Sequence, residues 1–188
     1  MREFVYYSAK ARTSGKFDDP MKAGRLDIVF NVVIQALSLS NSIRDDVKLH
    51  LIFNGPPNAP LHLEFDSREN IPLSKKDVGG LIKRMLYKWN DKNKTEVFPG
   101  CFIEKRSLNA LLLEFENENK KVCIMDINGE NIRDIKDLKD CVFIIGDQEG
   151  LPKKELKRYK NKFSIGNKIY FSSQVFVIIN NELDYRDI

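Results

Sequence analysis

The chain has 188 residues, of which 42% are hydrophobic and 31% are charged. This balance is typical of a soluble globular protein long enough to bury one sizeable core. No apolar run approaches the roughly 20 residues that a membrane-spanning helix needs, and no basic-then-apolar leader opens the chain, so we expect a cytoplasmic protein without a membrane partner. The net charge of +4 is too small an excess to distinguish a nucleic-acid-binding protein from a neutral enzyme.

The first half of the chain alternates strand patterns with helical patterns. Strands are predicted over residues 4–7, 47–53 and 61–65, and helices over residues 21–41 and 74–89, where apolar residues recur at helical spacing. Ser74 is the expected N-cap of the second helix. Three prolines and a glycine exclude regular structure between residues 54 and 60, and residues 91–96 are predicted to form a polar connector.

The second half continues this alternation and ends on a helix. Strands are predicted over residues 101–103, 121–125, 141–145 and 163–165, and helices after Ser107 and over residues 132–138, 152–160 and 172–185. Asn128-Gly129 predicts a turn. The alternation predicts an α/β fold with a mainly parallel sheet flanked by helices. Because no linker or repeat interrupts the chain, we expect one domain over residues 1–188.

The cysteines and histidines show no metal-binding or disulfide pattern in the sequence. Cys101, Cys123 and Cys141 are an odd number, lie far apart and include no CxxC pair, which predicts reduced cysteines in the core. His50 and His62 are the only histidines. They are too few and too isolated in sequence to predict a metal site.

Two classes of nucleotide-binding protein lack their phosphate-binding elements here. Asp147–Gly150 matches the D-x-x-G of GTPases and Asn181–Asp184 loosely matches their N-K-x-D, but the sequence G-x-x-x-x-G-K-[ST] is absent. The first strand is followed by Ser8–Arg12 (SAKAR) rather than by G-x-G-x-x-G, which argues against a dinucleotide-binding enzyme.

A cofactor site is instead predicted where the apolar strand 141–145 ends at Gly146. A strand that is apolar at every position suits the middle of a parallel sheet, and ligands bind beyond the carboxyl ends of such strands. Similar loops, without phosphate-binding residues, follow Met125 and Ile165. Backbone groups and glycines such as Gly146 and Gly166 suit a flat adenine and a sulfonium, so we expect S-adenosylmethionine as the cofactor.

The motifs that identify a family span almost the whole chain. In order they are REFVYYSAKARTSG (residues 2–15), GRLD (24–27), NGPP (54–57), PG (99–100), GDQEG (146–150) and NELD (181–184). In this combination and order, the chain resembles the archaeal tRNA pseudouridine N1-methyltransferases of the TrmY family, which belongs to the SPOUT superfamily.

The resemblance implies a homodimer with a C-terminal trefoil knot that binds S-adenosylmethionine and methylates N1 of the pseudouridine at position 54 in the T-loop of tRNA. It also implies a donor pocket of nine residues: Met125, Gly146, Ile165, Gly166, Asn167, Lys168, Ile169, Tyr170 and Val175. Relatives often carry proline at the position of Asn167 and cysteine at that of Val175. Neither difference removes a charge that such a pocket needs. The last helix is expected to pack across the dimer, with a charge at Ile179 giving monomers.

The catalytic residues are predicted from Arg44-Asp45-Asp46, because related rRNA pseudouridine methyltransferases carry an Arg-x-Asp in a similar place. Methyl transfer to N1 requires loss of its weakly acidic proton, for which a positioned carboxylate is the simplest base. Asp46 is the expected base, and Arg44 is expected to orient the nucleotide. The alternative is a solvated turn between a helix and a strand.

Contacts to tRNA are predicted for the basic residues Lys10, Arg12 and Arg25, which would bind phosphates and make affinity fall with salt. Asn54 is a second candidate for reading the base. A solvated charged face and a simple turn are the respective alternatives. Two other functions stay open: N1-methylation of an rRNA pseudouridine, and RNA binding without turnover.

Overall fold

The computed structural model describes residues 1–188 and is built on an eight-stranded sheet. The strands are β1 (Arg2–Ser8), β2 (Ser38–Leu39), β3 (Ser42–Ile43), β4 (Val47–Phe53), β5 (Leu61–Asp66), β6 (Thr95–Phe98), β7 (Cys101–Glu104), β8 (Lys121–Asn131), β9 (Cys141–Gly146) and β10 (Lys162–Ser164). The helices are α1 (Leu26–Leu37), α2 (Lys75–Lys88), α3 (Leu108–Asn117), α4 (Lys153–Leu156) and α5 (Ser172–Tyr185).

The main sheet has the order β10-β8-β9-β1-β4-β5-β7-β6, and β2 and β3 form a separate hairpin. The strands from β10 to β4 pair in parallel, whereas β5, β7 and β6 are antiparallel. The predicted α/β fold with a mainly parallel sheet is therefore confirmed. No helix combines the length and hydrophobicity that crossing a membrane requires.

The central strands bury both of their faces. Alternate residues of β1 and β9 enter two separate cores: Phe4 and Phe143 pack with α5 in the larger core, whereas Val5 and Ile144 pack with α3 in the smaller one. The rings of Phe4 and Phe143 stack with centroids 5.7 Å apart. This double burial explains why β9 is apolar throughout.

Helix α1 is shorter than the predicted helix over residues 21–41. Gly24 and Arg25 both adopt left-handed backbone conformations, with φ of 72° and 64°, so the helix cannot begin before Leu26. Asn41 is also left-handed, with φ of 63°, and it lies in the turn between β2 and β3. Both ends of the predicted helix are therefore wrong, for a conformational reason that apolar spacing does not reveal.

The predicted turn at Asn128-Gly129 lies within the range of β8, in an irregular part of that strand. Strand β10 pairs with Ile124 and then with Glu130 and Asn131, so the residues between them bulge out of the pairing. A Cβ at Gly129 would lie 2.5 Å from the carbonyl carbon of Lys162, so the glycine permits the close approach of two strands.

Three shorter predictions also fail. Residues 132–138 form an irregular loop instead of a helix. Their apolar residues are spaced three apart, and the loop buries them without helical structure. The helix predicted over residues 152–160 is only α4. Residues 95–98, partly assigned to a polar connector, form the edge strand β6.

Candidate functional site

The carboxyl ends of β1 and β9 meet beside a buried carboxylate, Asp147. Its Oδ2 accepts hydrogen bonds from the Ser8 hydroxyl (2.8 Å) and the Ala9 backbone N–H (2.9 Å). Its Oδ1 accepts one from the Glu149 backbone N–H (2.9 Å). Asp147 therefore fixes the turns that follow two neighbouring strands.

Gly146 joins this edge of the sheet to the last helix. Its carbonyl oxygen accepts a hydrogen bond from the Ser172 hydroxyl (2.7 Å), in the first turn of α5. A Cβ at Gly146 would lie 3.0 Å from both the Gly150 carbonyl carbon and Leu151 Cγ. The turn after β9 therefore folds back onto Gly146 and requires the glycine for its own packing.

The loop between β10 and α5 is open to binding. None of the backbone groups of residues 166–170 has a hydrogen-bond partner within the chain. Gly166 has φ of 142° and no atom within 4 Å of the place of a Cβ, while Ile169 is 87% exposed. These residues fit a ligand such as S-adenosylmethionine, because unpaired backbone groups can read an adenine edge and the apolar side chain can cover it.

The remaining predicted donor-site residues converge on the same edge. β8 and β9 are in register up to the pair Ile124 and Ile144, so Met125 lies level with the end of β9. Val175 lies in the turn of α5 that begins at Ser172. Met125, Ile165 and Val175 are partly buried against the larger core. In contrast, Asn167, Lys168 and Tyr170 are exposed loop residues.

Arg44 and Asp46 lie at the opposite edge of the sheet, before β4. Both guanidinium nitrogens of Arg44 donate to Asp184, at 2.9 and 2.6 Å, and Arg2 pairs with Asp46 at 3.0 Å and with Asp184 at 2.7 Å. The hydrogen bonds from Arg44, and then those from Arg2, lower the pKa of Asp184 to about 2. Within one chain, these residues form a fixed ion-pair network.

The seven residues of β4 separate this network from the donor-site edge by about 20 Å, at roughly 3.3 Å per residue. A single chain therefore does not bring Asp46 to the loop over residues 165–170.

Three of the predicted tRNA-binding side chains are engaged within the chain. Lys10 pairs with Glu149 (2.7 Å), Arg25 donates twice to Asp27 (3.0 Å each), and the Asn54 amide donates to the Tyr7 hydroxyl (3.2 Å). These residues follow β1 and β4 or precede α1, at the same edge as Gly146.

Arg12 differs from the other three. It makes no ion pair within the chain, and its Nε is buried without a hydrogen-bond partner. Two glycines pack closely against the backbone beside Arg12. A Cβ at Gly24 would lie 1.7 Å from the Lys10 carbonyl oxygen, and a Cβ at Gly55 would lie 2.3 Å from the same atom. Of the four residues, Arg12 is therefore the one whose guanidinium group lacks an anionic partner within the chain.

The two histidines, isolated in the sequence, are in direct contact. His50 Nδ1 lies 2.9 Å from His62 Nε2, and His62 Nδ1 lies 2.9 Å from Glu104 Oε1. Strand pairing places His50 opposite Glu64. Burial lowers the pKa of His50, and the neighbouring His62 lowers it further. Period-two alternation assigns each histidine to one face of its strand, but it does not show that these two strands pair.

Comparison with known proteins gives the family of this chain. The family described as "Putative SAM-dependent RNA methyltransferase" matches residues 1–188. The chain is 34% identical to the tRNA (pseudouridine(54)-N(1))-methyltransferase of Methanococcoides burtonii, over 98% of this chain and 96% of that protein. It is 32% identical to the protein of the same name in Methanosarcina acetivorans, over 98% and 91% respectively.

A solved structure supports the fold. Archaeoglobus fulgidus Nep1 bound to S-adenosylhomocysteine matches with a TM-score of 0.66 and 16% sequence identity, covering 100% of this chain and 99% of that one. At this identity, the likeness shows a shared chain fold.

Proposed function

Because the chain belongs to the family of SAM-dependent RNA methyltransferases, we propose that it methylates N1 of the pseudouridine at position 54 in the T-loop of tRNA, in the cytoplasm. The relatives that are named as tRNA (pseudouridine(54)-N(1))-methyltransferases align over nearly the full chain. The structural observation that carries the proposal is the loop over residues 166–170, whose backbone groups are unpaired beside the ends of β8 and β9.

The donor site uses backbone and apolar groups. S-adenosylmethionine, when bound, would supply an activated methyl group on its sulfonium. Residues 165–170 would hold the donor, together with the apolar side chains of Met125 and Val175 and the backbone of Gly146. Ser172 ties α5 to Gly146 and so keeps the two sides of this site together. Because the methyl group is already activated, the remaining work is alignment of the nucleotide for in-line attack.

The proton on N1 requires a base, and Asp46 is our candidate. Its side chain is 39% exposed, and Arg2 holds one of its oxygens at 3.0 Å, so the carboxylate is both oriented and accessible. Arg44 belongs to the same network, because it pairs with Asp184, which also pairs with Arg2. Since about 20 Å separate Asp46 from the donor-site edge along β4, Asp46 can act as the base only at the donor site of a second copy of the chain.

A homodimer is therefore part of the proposal. Exposed apolar side chains concentrate in the C-terminal segment, namely Ile169, Tyr170, Phe171, Val177 and Tyr185, and their burial between two chains would supply a hydrophobic interface. Ile179 cannot serve as the interface position expected from the sequence, because it is fully buried in its own chain.

The trefoil knot also remains a proposal. It is supported by contacts between the end of the chain and the loop that follows β8. The Arg186 guanidinium donates to the carbonyl oxygens of Ile132 and Arg133, at 3.1 and 2.9 Å.

The decisive assay uses a donor labelled with tritium on its methyl group. The acceptors are tRNA transcripts whose T-loop uridine has or has not been converted to pseudouridine, and an rRNA fragment that contains pseudouridine. We expect label only on the pseudouridine-containing tRNA. Label on unmodified uridine contradicts the proposal, and preferential label on the rRNA fragment favours the alternative substrate. Donor and tRNA binding without any label indicates an RNA-binding module.

Complementation tests whether the site is shared between chains. Asp46→Asn removes the base, and Gly166→Val places a side chain where φ is 142° and so damages the donor loop. Each variant alone should be inactive. A mixture refolded together should regain activity, because one site per mixed dimer then has an intact loop and an intact Asp46. A mixture without activity would refute the shared site.

A further inference from the structure

A polar cluster lies on the face of the sheet that packs against α3, away from the proposed donor site. Its members are His50 on β4 and His62 and Glu64 on β5, all three buried. One ligand atom from each lies within 4.8 Å of the other two. The separations are 2.9 Å between His50 Nδ1 and His62 Nε2, and 3.9 Å between His50 Nδ1 and Glu64 Oε2.

The hydrogen bonds of this cluster assign its protons. Glu104 accepts a hydrogen bond from His62 Nδ1–H, because an ionised carboxylate has no proton to donate. His62 Nε2 is therefore a lone pair, and His50 Nδ1–H donates to it. His50 Nε2 then also carries a lone pair, and it is buried without a hydrogen-bond partner. It can therefore carry the proton when His50 Nδ1 is deprotonated.

The contact between His62 and Glu104 is the arrangement that orients metal-binding histidines. A carboxylate on one imidazole nitrogen fixes the tautomer and raises the basicity of the other nitrogen. Here that other nitrogen points at His50. Two imidazoles and one carboxylate are a donor set that binds Zn²⁺.

The distances require only small movements to accept a metal ion. Bonds of about 2.05 Å in tetrahedral geometry place two ligand atoms about 3.3 Å apart. The two imidazole nitrogens would separate from 2.9 Å, and His50 Nδ1 and Glu64 Oε2 would approach from 3.9 Å. The third pair, His62 and Glu64, lies within 4.8 Å and would also have to approach. Side-chain rotation can supply shifts of this size.

The carboxylates around the cluster favour a cation. Glu64 and Glu104 each carry a negative charge, and Arg106 offsets that of Glu104. At present Lys94 pairs with Glu64 at 2.7 Å, and Arg106 with Glu104 at 3.2 Å. Lys94 is part-exposed on a flexible stem, so its ammonium group can leave for solvent. A metal ion that binds Glu64 would therefore displace the Lys94 ammonium group.

We propose that His50, His62 and Glu64 form a Zn²⁺-binding site that links β4 to β5, with Glu104 orienting His62 and Lys94 competing for Glu64. Binding moves the proton of His50 from Nδ1 to Nε2. Because the site joins two strands and lies against the Phe115 ring, whose centroid is 5.3 Å from that of His50, the ion would stabilise the fold. A water molecule would take the fourth tetrahedral position.

The test titrates chelator-treated full-length protein with Zn²⁺ by calorimetry and with Co²⁺ by visible absorption. We expect one ion per chain, the intense absorption of tetrahedral Co²⁺ and a higher thermal midpoint with metal. Because the chain has only two histidines, His62→Gln should abolish binding. Glu104→Gln should weaken it about 10–100-fold, as loss of an orienting carboxylate does elsewhere.

Lys94→Met provides the sharpest variant, because it should strengthen Zn²⁺ binding by removing the competing cation. Lys92→Met is the matched control, since Lys92 is an exposed lysine without an ion pair, and it should leave binding unchanged. Thermal unfolding in chelator shows that each variant is folded. The proposal is overturned by no binding in the wild-type protein, by binding that Lys94→Met leaves unchanged, or by sulfur-to-cobalt absorption showing that cysteines are the ligands.

Discussion

Asp184→Asn tests the ion-pair network that fixes Arg44 and Arg2. Both arginines are about nine-tenths buried, and Asp184 is the only carboxylate that pairs with Arg44. The substitution keeps the shape of the side chain and removes its charge. Arg2 retains Asp46, but Arg44 keeps only a neutral amide oxygen.

The expected loss of stability follows from two charge-assisted hydrogen bonds from Arg44, of 2.9 and 2.6 Å, and an ion pair with Arg2 at 2.7 Å. Such bonds contribute about 1.5–3 kcal/mol each when buried. Asp184 is 42% exposed, so solvent screens them, and the amide oxygen retains part of one bond. We expect a decrease of about 2 kcal/mol in the free energy of unfolding at pH 7, which corresponds to about 4–8 °C in the midpoint for a chain of this size.

The same substitution makes a prediction about pH. The pKa of Asp184 is about 2 in the folded chain and about 3.9 in an unfolded one. The carboxylate therefore stabilises the fold fully above about pH 4, and this stabilisation is lost as the pH falls towards 2. The asparagine side chain of the variant does not titrate, so the difference between the two proteins should shrink across that window.

The measurement is urea unfolding at pH 7 and at steps down to pH 2, followed by circular dichroism. Asp187→Asn is the matched control, because Asp187 is exposed and makes no ion pair. Its left-handed backbone, with φ of 54°, tolerates asparagine. Equal stability of Asp184→Asn and wild type at pH 7, or a difference that persists undiminished at pH 2, would refute the reasoning.

Three further outcomes are expected. Arg12→Gln should weaken tRNA binding and reduce the slope of log affinity against log salt by about 0.9, and an unchanged slope in filter-binding assays would exclude a phosphate contact. Val177→Glu, at a 42% exposed position of α5, should give monomers in sedimentation without lowering the thermal midpoint; persistent dimers would count against this face. Gly129→Ala should destabilise the fold by about 1–3 kcal/mol, because its Cβ would lie 2.5 Å from the Lys162 backbone, and an unchanged urea midpoint would contradict that contact.

Much of the fold could be predicted because its central elements carry their own signals. The apolar strand before Gly146 is buried on both faces, and the helix over residues 172–185 lies where its spacing predicts it. Failures occurred where backbone conformation or a distant strand decides the structure. Left-handed Arg25 delays a helix, and pairing of Glu130 and Asn131 with β10 extends β8 beyond the Asn-Gly signal. Neither cause lies within the local pattern.

The candidate site was predictable in part for a different reason. Residues around Gly146 and the loop over residues 165–170 gather because parallel strands end at a common edge, and alternation predicts parallel strands. The contact between His50 and His62 depends on antiparallel register between two particular strands. A sequence of 188 residues does not disclose which strands pair, so this cluster was beyond sequence reasoning.

The placement of Arg44 and Asp46 constrains any account of catalysis. Parallel strands give the sheet two distinct edges, and the length of β4 keeps those edges about 20 Å apart. The donor loop lies at one edge, while Asp46, the candidate base, lies at the other and is held by Arg2. A rearrangement within the chain cannot unite them, because Arg44 and Arg2 anchor that edge to Asp184 of α5. Either the base is supplied by a second copy of the chain, or Asp46 is structural and the proton leaves through water, and activity in the mixed dimers decides between these two mechanisms.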